Sequence, residues 1–162
     1  MPLIKNGRIA NEDWAFVEDD APLGEGQTSV TLARFKAERD DLLGRNVPLG
    51  VRLLPGDDPH DLVDDLDRLS LIEVSFPKYA DGRGYSQAQL LRRRLGYEGE
   101  LRAVGDVLRD QALLMVRSGF DAVMLANSDL SGFEAALAEY KHAYQSDAAG
   151  TTSVFNRRHG QD

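Results

Sequence analysis

Four short apolar runs recur through the middle of the chain: Leu49-Gly50-Val51-Arg52-Leu53-Leu54, Leu71-Ile72-Glu73-Val74-Ser75-Phe76, Leu101-Arg102-Ala103-Val104-Gly105 and Ala122-Val123-Met124-Leu125-Ala126. Each is followed by a stretch of helical length, at 59–69, 87–95, 107–118 and 132–144. Runs this short suit strands, and the intervals suit helices that return the chain to the same edge. The pattern predicts four consecutive βα units with a mainly parallel sheet and right-handed crossovers. Leu62, Leu66 and Leu69, then Ala88, Leu91 and Leu95, then Leu108, Ala112 and Met115 recur at helical spacing and give each helix an apolar stripe to lay on that sheet.

The helix ends carry their own signals. Asp58 before Pro59 is an N-cap followed by an N1 proline, and Ser86 with Gln89 and Ser131 with Glu134 fit the capping box. Asp106 is placed to cap the third helix, and Gly96 and Gly119 fall where left-handed C-caps belong. Four such units build either an open doubly wound sheet or half of a (β/α)8 barrel. A half barrel leaves long edges that N-terminal strands or a second subunit must cover.

Upstream, Leu3-Ile4-Lys5 and Arg8-Ile9 flank Asn6-Gly7, the pair that favours a type I′ hairpin turn. Residues 14–17 suggest another short strand, and 19–27 read as a loop. A helix is expected from Thr28 or Ser29 to Leu43, stopped by Gly44, with Leu32, Phe35 and Leu43 facing inward. The domain reading is a single α/β unit over 1–145, with hairpin and helix in 1–46 and βα repeats in 47–145. A flexible polar tail over 146–162 is expected to keep Val154 and Phe155 as its apolar anchors.

Composition narrows the function. The 162 residues carry 19 Lys and Arg against 27 Asp and Glu, a formal charge of −8, which argues against nucleic-acid and membrane partners. No apolar run reaches the ~18 residues that span a bilayer, and residues 1–10 lack the apolar core of a secretory signal, so a cytoplasmic location is expected. The chain has no cysteine, so it supplies no thiol chemistry and no ligand to an iron–sulfur cluster; electrons would need a borrowed carrier. His60, His142 and His159 show no ligand spacing, and no metal site is expected. The aspartates of 57–67 read as a solvated acidic helix. Within the acidic total, residues 78–117 hold 8 basic and 5 acidic side chains, a local +3.

In either architecture ligands bind beyond the carboxyl ends of the strands. The loop there that stands out is Phe76-Pro77-Lys78-Tyr79-Ala80-Asp81-Gly82-Arg83-Gly84-Tyr85-Ser86. Lys78, Arg83, Ser86 and, from the next unit, Arg109 offer donors to an anion, while Gly82 and Gly84 allow positive φ or close backbone approach. Asp81 and Asp106 would orient the cations, and Asp110 is the candidate for proton transfer. A small oxyanion fits this donor set. Gly82-x-Gly84 has only two glycines of the dinucleotide fingerprint, because Gln87 stands in the third place. Tyr85 and Tyr97 read as packing residues.

The motifs Phe76-Pro77-Lys78, Asp81-Gly82-Arg83-Gly84-Tyr85-Ser86, Leu91-Arg92, Gly96-Tyr97, the run 99–111 and Gly119-Phe120-Asp121-Ala122 resemble a bacterial family of unknown function, DUF934. The resemblance is strong from about 49 to 122. It implies a role in assimilatory sulfite or sulfate reduction, since members carry an oxidoreductase description, without an assigned reaction, and are encoded beside sulfite reductase. Members often have Cys before Gly-Phe-Asp, where this chain has Ser118, so a thiol mechanism is not expected to carry over.

These readings lead to three expectations. The first is an accessory protein of sulfite reduction that binds a small oxyanion and docks to sulfite reductase or another sulfate-assimilation protein. The second is a small oxidoreductase that borrows flavin or NAD(P). The third is a homodimeric scaffold for reductase subunits.

Overall fold

The computed structural model describes residues 2–6, 8–78 and 80–125, apart from the side chains of Arg109, Ala112 and Leu113. The fourth expected helix, its Ser131 and Glu134 box and the polar tail lie outside the described residues. The strands are β1 (Leu3–Lys5), β2 (Arg8–Ala10), β3 (Ala15–Phe16), β4 (Thr28–Thr31), β5 (Leu49–Leu53), β6 (Leu71–Phe76), β7 (Glu100–Gly105) and β8 (Ala122–Met124). Between them run α1 (Leu32–Ala37), α2 (Arg39–Leu43), a 3-10 helix (Pro59–Arg68), α3 (Arg83–Gln89) prolonged by a π turn (Leu90–Arg94), and a 3-10 turn (Arg109–Gln111) leading into α4 (Ala112–Arg117).

One sheet holds all these strands in the order β2-β1-β8-β7-β6-β5-β4-β3. From β3 to β8 neighbours in space are neighbours in sequence, and every pairing among them is parallel. Because the strands are laid down in one direction with their helices on one face, the sheet curls into an open half-barrel. The two edges are handled as such a sheet requires. The β1–β2 hairpin, with Asn6 at φ 50°, pairs antiparallel to β8. At the other side the sheet stops at β3, only two residues long.

Beneath the helices lies the apolar core. Val30, Val51, Leu53, Ile72, Val74, Phe76, Leu101, Ala103 and Val123 point from the sheet into Leu32, Phe35, Leu42, Leu62, Ala88, Leu91 and Met115. Each fully buried Leu, Ile or Phe is worth roughly 1.5–3 kcal/mol of transfer free energy. Gly96 and Gly119 take the positive φ expected of them, 68° and 100°.

Several boundaries differ from the sequence reading. Residues 28–31 form a buried strand and not the start of a helix; β-branched Thr28, Val30 and Thr31 suit a strand, and Thr31 caps α1 by accepting from the Arg34 amide at 3.1 Å. Leu42 is the fully buried residue of α2, and Leu43 packs partly buried against the core as expected. The segment after Asp58 is 3-10 rather than α, although Asp58 caps it as read, accepting from the His60 amide at 3.0 Å. The acidic face there is not wholly solvated: Asp65 is buried and takes Arg39 through Nε and Nη2 at 2.8 and 2.5 Å. Asp106 does not cap α4, whose N-cap position is Gln111.

The face of the sheet away from these helices carries charge. In register across β4 to β8 stand Thr31, Arg52, Glu73, Arg102 and Ala122. Glu73, 2% exposed, accepts from Arg52 Nε at 3.0 Å and, reaching past Gly50, from Ser29 Oγ at 2.8 Å. Arg102, equally buried, gives Nε and Nη2 to Glu100 and Nη1 to Glu12, at 2.9, 2.7 and 2.6 Å. Lys5 closes the set on Glu100 at 2.6 Å. Burial would raise the Glu100 carboxyl, but Lys5 and Arg102 outweigh it and hold the group below its usual range.

This ladder makes two outcomes measurable. Glu73→Ala strands the Arg52 Nε and the Ser29 hydroxyl, and urea denaturation should show a loss of about 3–5 kcal/mol; a loss under ~1 kcal/mol would contradict the energetic role given to Glu73. Because the Glu100 pKa is depressed by folding, its contribution is present above the unfolded value and disappears as pH falls through the folded one. Glu100→Gln should therefore flatten the acid limb of thermal stability below the ordinary carboxylate range.

Candidate functional site

Strand β6 ends at Phe76, and Pro77 stops the ladder. The chain then folds into a turn in which the Asp81 amide donates to the Lys78 carbonyl at 2.9 Å. Asp81 organises the entry into α3: Oδ1 accepts from the Arg83 amide at 3.1 Å and from Arg83 Nε at 3.0 Å, and Oδ2 from Nη2 at 2.7 Å. Hydrogen bonds from Arg83 hold the Asp81 carboxyl below its ordinary value, and the same contact raises Arg83. Asp81 thus does orient a cation. Arg83 remains 64% exposed and keeps Nη1 free of partners among the described residues. Lys78, on the same turn, is exposed.

The glycines serve other purposes than those read from the sequence. Gly82 sits at φ −80°, an ordinary helical value, at the N-cap of α3. Gly84 faces the core: a Cβ there would lie 2.5 Å from Phe76 Cζ and 2.9 Å from Val74 Cγ1, so its bare backbone lets α3 rest on β6. With Asp81 capping the Arg83 amide, α3 begins at Arg83. Ser86 is consequently inside the helix and exposed, and the Ser86–Gln89 box caps nothing.

Of the residues from the next unit, Arg109 opens the 3-10 turn, and its side chain lies outside the described atoms. Asp106 is half-buried, and its amide donates to the Phe76 carbonyl at 2.7 Å, which ties the end of β7 to the end of β6. This closure needs Gly105 at φ 104°, where a Cβ would meet the Phe76 carbonyl oxygen at 2.4 Å. Asp110 is exposed on the turn. Burial, and then the Asp110 charge, raise the Tyr85 pKa, so this phenol stays protonated at neutral pH. Tyr85 packs on Phe76 with ring centroids 5.2 Å apart, and its hydroxyl is buried without a partner among the described residues. The structure therefore brings Lys78, Asp81 and Arg83 onto one turn and sets Asp110 near Tyr85. It places Gly84 against Phe76 and Val74 and Ser86 on the exposed side of α3.

Gln87 escaped the sequence reading except as a missing glycine. It is buried, and Nε2 donates to the Leu54 and Asp57 carbonyls, both at 2.8 Å, which clasps α3 to the loop after β5. Ser118 is 1% exposed, and its hydroxyl has no partner among the described residues. His60 pairs with its own cap, Nδ1 lying 2.8 Å from Asp58 Oδ1. Burial raises the Tyr97 pKa, and its hydroxyl donates to the Leu69 carbonyl at 3.2 Å, so Tyr97 is a packing residue as read.

The two glycines predict opposite outcomes. Gly84→Ala must displace Phe76 or α3 and should cost about 1–3 kcal/mol, whereas Gly82→Ala meets open space and should stay within ~0.5 kcal/mol of the parent in urea denaturation. Equal stabilities for the two variants would refute the packing role of Gly84.

A comparison with curated proteins finds no match. The family model for DUF934, described as a bacterial protein of unknown function, matches residues 50–155. That span takes in β5 through β8, the Lys78–Asp81 turn, the buried Gly84 and the Gly105 closure, and it covers well over half of the sequence. By this match the chain belongs to the DUF934 family.

Proposed function

We propose that the chain is a small-oxyanion-binding accessory protein of assimilatory sulfite or sulfate reduction, with its site at the carboxyl ends of the strands. The observation that carries the anion reading is the Lys78–Asp81 turn. Asp81 fixes Arg83 through two side-chain contacts, and Arg83 Nη1, without a partner among the described residues, and the exposed Lys78 are left on one short segment. A fixed guanidinium loses less entropy on binding than a mobile one, which favours a charge-assisted contact. The identity of the anion as sulfite or sulfate rests on the family resemblance.

Binding or docking to a reductase is favoured over independent catalysis. The chain has no cysteine to carry electrons, and Tyr85 is held protonated, suited to donate a hydrogen bond and not to act as a base. Asp110 is the group proposed for any proton transfer. A flavin or nicotinamide supplied from outside would make the same rim an oxidoreductase site, and a thermal-shift screen with FMN, FAD, NADH and NADPH tests that variant.

Calorimetry with sulfite, sulfate and phosphate on the parent, Lys78→Ala and Arg83→Ala should show a saturable heat for at least one anion. Affinity should fall about tenfold or more in Arg83→Ala, as for a lost charged hydrogen bond, and decline as salt is raised. Equal weak heats in all three proteins would overturn the site.

A further inference from the structure

Arg52 and Arg102 flank Glu73 in register on the same face of the sheet, yet they are used differently. All three nitrogens of Arg102 are committed, to Glu100 and Glu12. Arg52 commits only Nε, to Glu73 Oε2 at 3.0 Å. Its guanidinium carbon lies 3.5 Å above the centre of the Phe16 ring. Its two terminal nitrogens have no partner among the described residues, and they are not sealed from solvent, the side chain being 22% exposed.

We propose that Arg52 is an anion-receiving group on the concave face of the half-barrel, separate from the Lys78–Asp81 turn, and that Nη1 and Nη2 take two coplanar oxygens of a small carboxylate or oxyanion. Three constraints fix the fork in advance. Glu73 holds Nε, Ser29 holds Glu73 at 2.8 Å, and Phe16 fixes the plane of the guanidinium. A guanidinium anchored at Nε and stacked on one face presents its remaining edge in the geometry that a two-oxygen anion matches. Arg102, on the other side of Glu73, by contrast leaves none of its nitrogens uncommitted.

The test follows the side-chain Nε–H resonance of Arg52 in nitrogen-15-labelled protein, assigned by its disappearance in Arg52→Lys. Sodium acetate, sodium sulfite and sodium chloride are titrated separately at constant ionic strength. A saturable shift with acetate or sulfite that chloride does not reproduce supports the site, and the responding anion identifies its class. The response should persist in Arg83→Ala and weaken about fivefold or more in Phe16→Leu, which removes the stack while leaving both nitrogens. Absence of a saturable response to both oxyanions, an equal response to chloride, or unchanged affinity in Phe16→Leu would overturn the proposal. Because Arg83→Ala is the variant that tests the rim, failure at one place is distinguishable from failure at the other.

Discussion

A carboxylate buried as deeply as Glu73 is tolerated only where its neighbours supply hydrogen bonds to its oxygens. Here Arg52 of the adjacent β5 and Ser29 of β4, one strand further on, meet that demand. The ladder therefore acts on register as much as on energy. Sliding β5 against β6 by one residue would turn Arg52 away from Glu73 and leave a charge without a counterpart in a place water hardly reaches. Apolar packing on the helical face tolerates small errors of alignment, and the paired charges on the opposite face do not.

The strand order reflects the same economy of connection. Each βα unit lays its strand beside the previous one, the helices all fall on one side, and the curvature accumulates without the reversal that opens a crevice in doubly wound sheets. A half-barrel made this way has to end somewhere. The hairpin of β1 and β2 turns antiparallel to finish one side, and at the other the hydrogen-bonding row dwindles to the short β3. The buried Arg34 pins the loop beyond β3 by donating to the Glu18 and Ala21 carbonyls.

Much of this was legible in the residues. The alternation of short apolar runs with helix-length spacers gave the βα units, Asn6 gave the hairpin, and Asp58 gave its cap. The features that escaped did so for physical causes. Thr28 to Thr31 contains both cap-forming and β-branched residues, and burial against β5 decided for the strand. The Ser86–Gln89 box lost to a carboxylate five residues upstream, because Asp81 reaches the Arg83 amide first. Gly84 looked like a ligand loop, whereas the clash that demands it is with Phe76, eight positions earlier and across an interface. The signal for the charged face was present in Arg52, Glu73 and Arg102, each flanked by apolar residues at period two, but the partners of such charges depend on register, which composition does not encode.

The amide of Gln87 joins two parts of the rim that the chain order keeps apart. By gripping two carbonyls of the segment after β5 from the first helix after β6, it makes two neighbouring loops a single mechanical piece. Any shift of α3 therefore carries the Leu54 and Asp57 carbonyls with it, and the rim moves as a unit although the sheet beneath it stays in place.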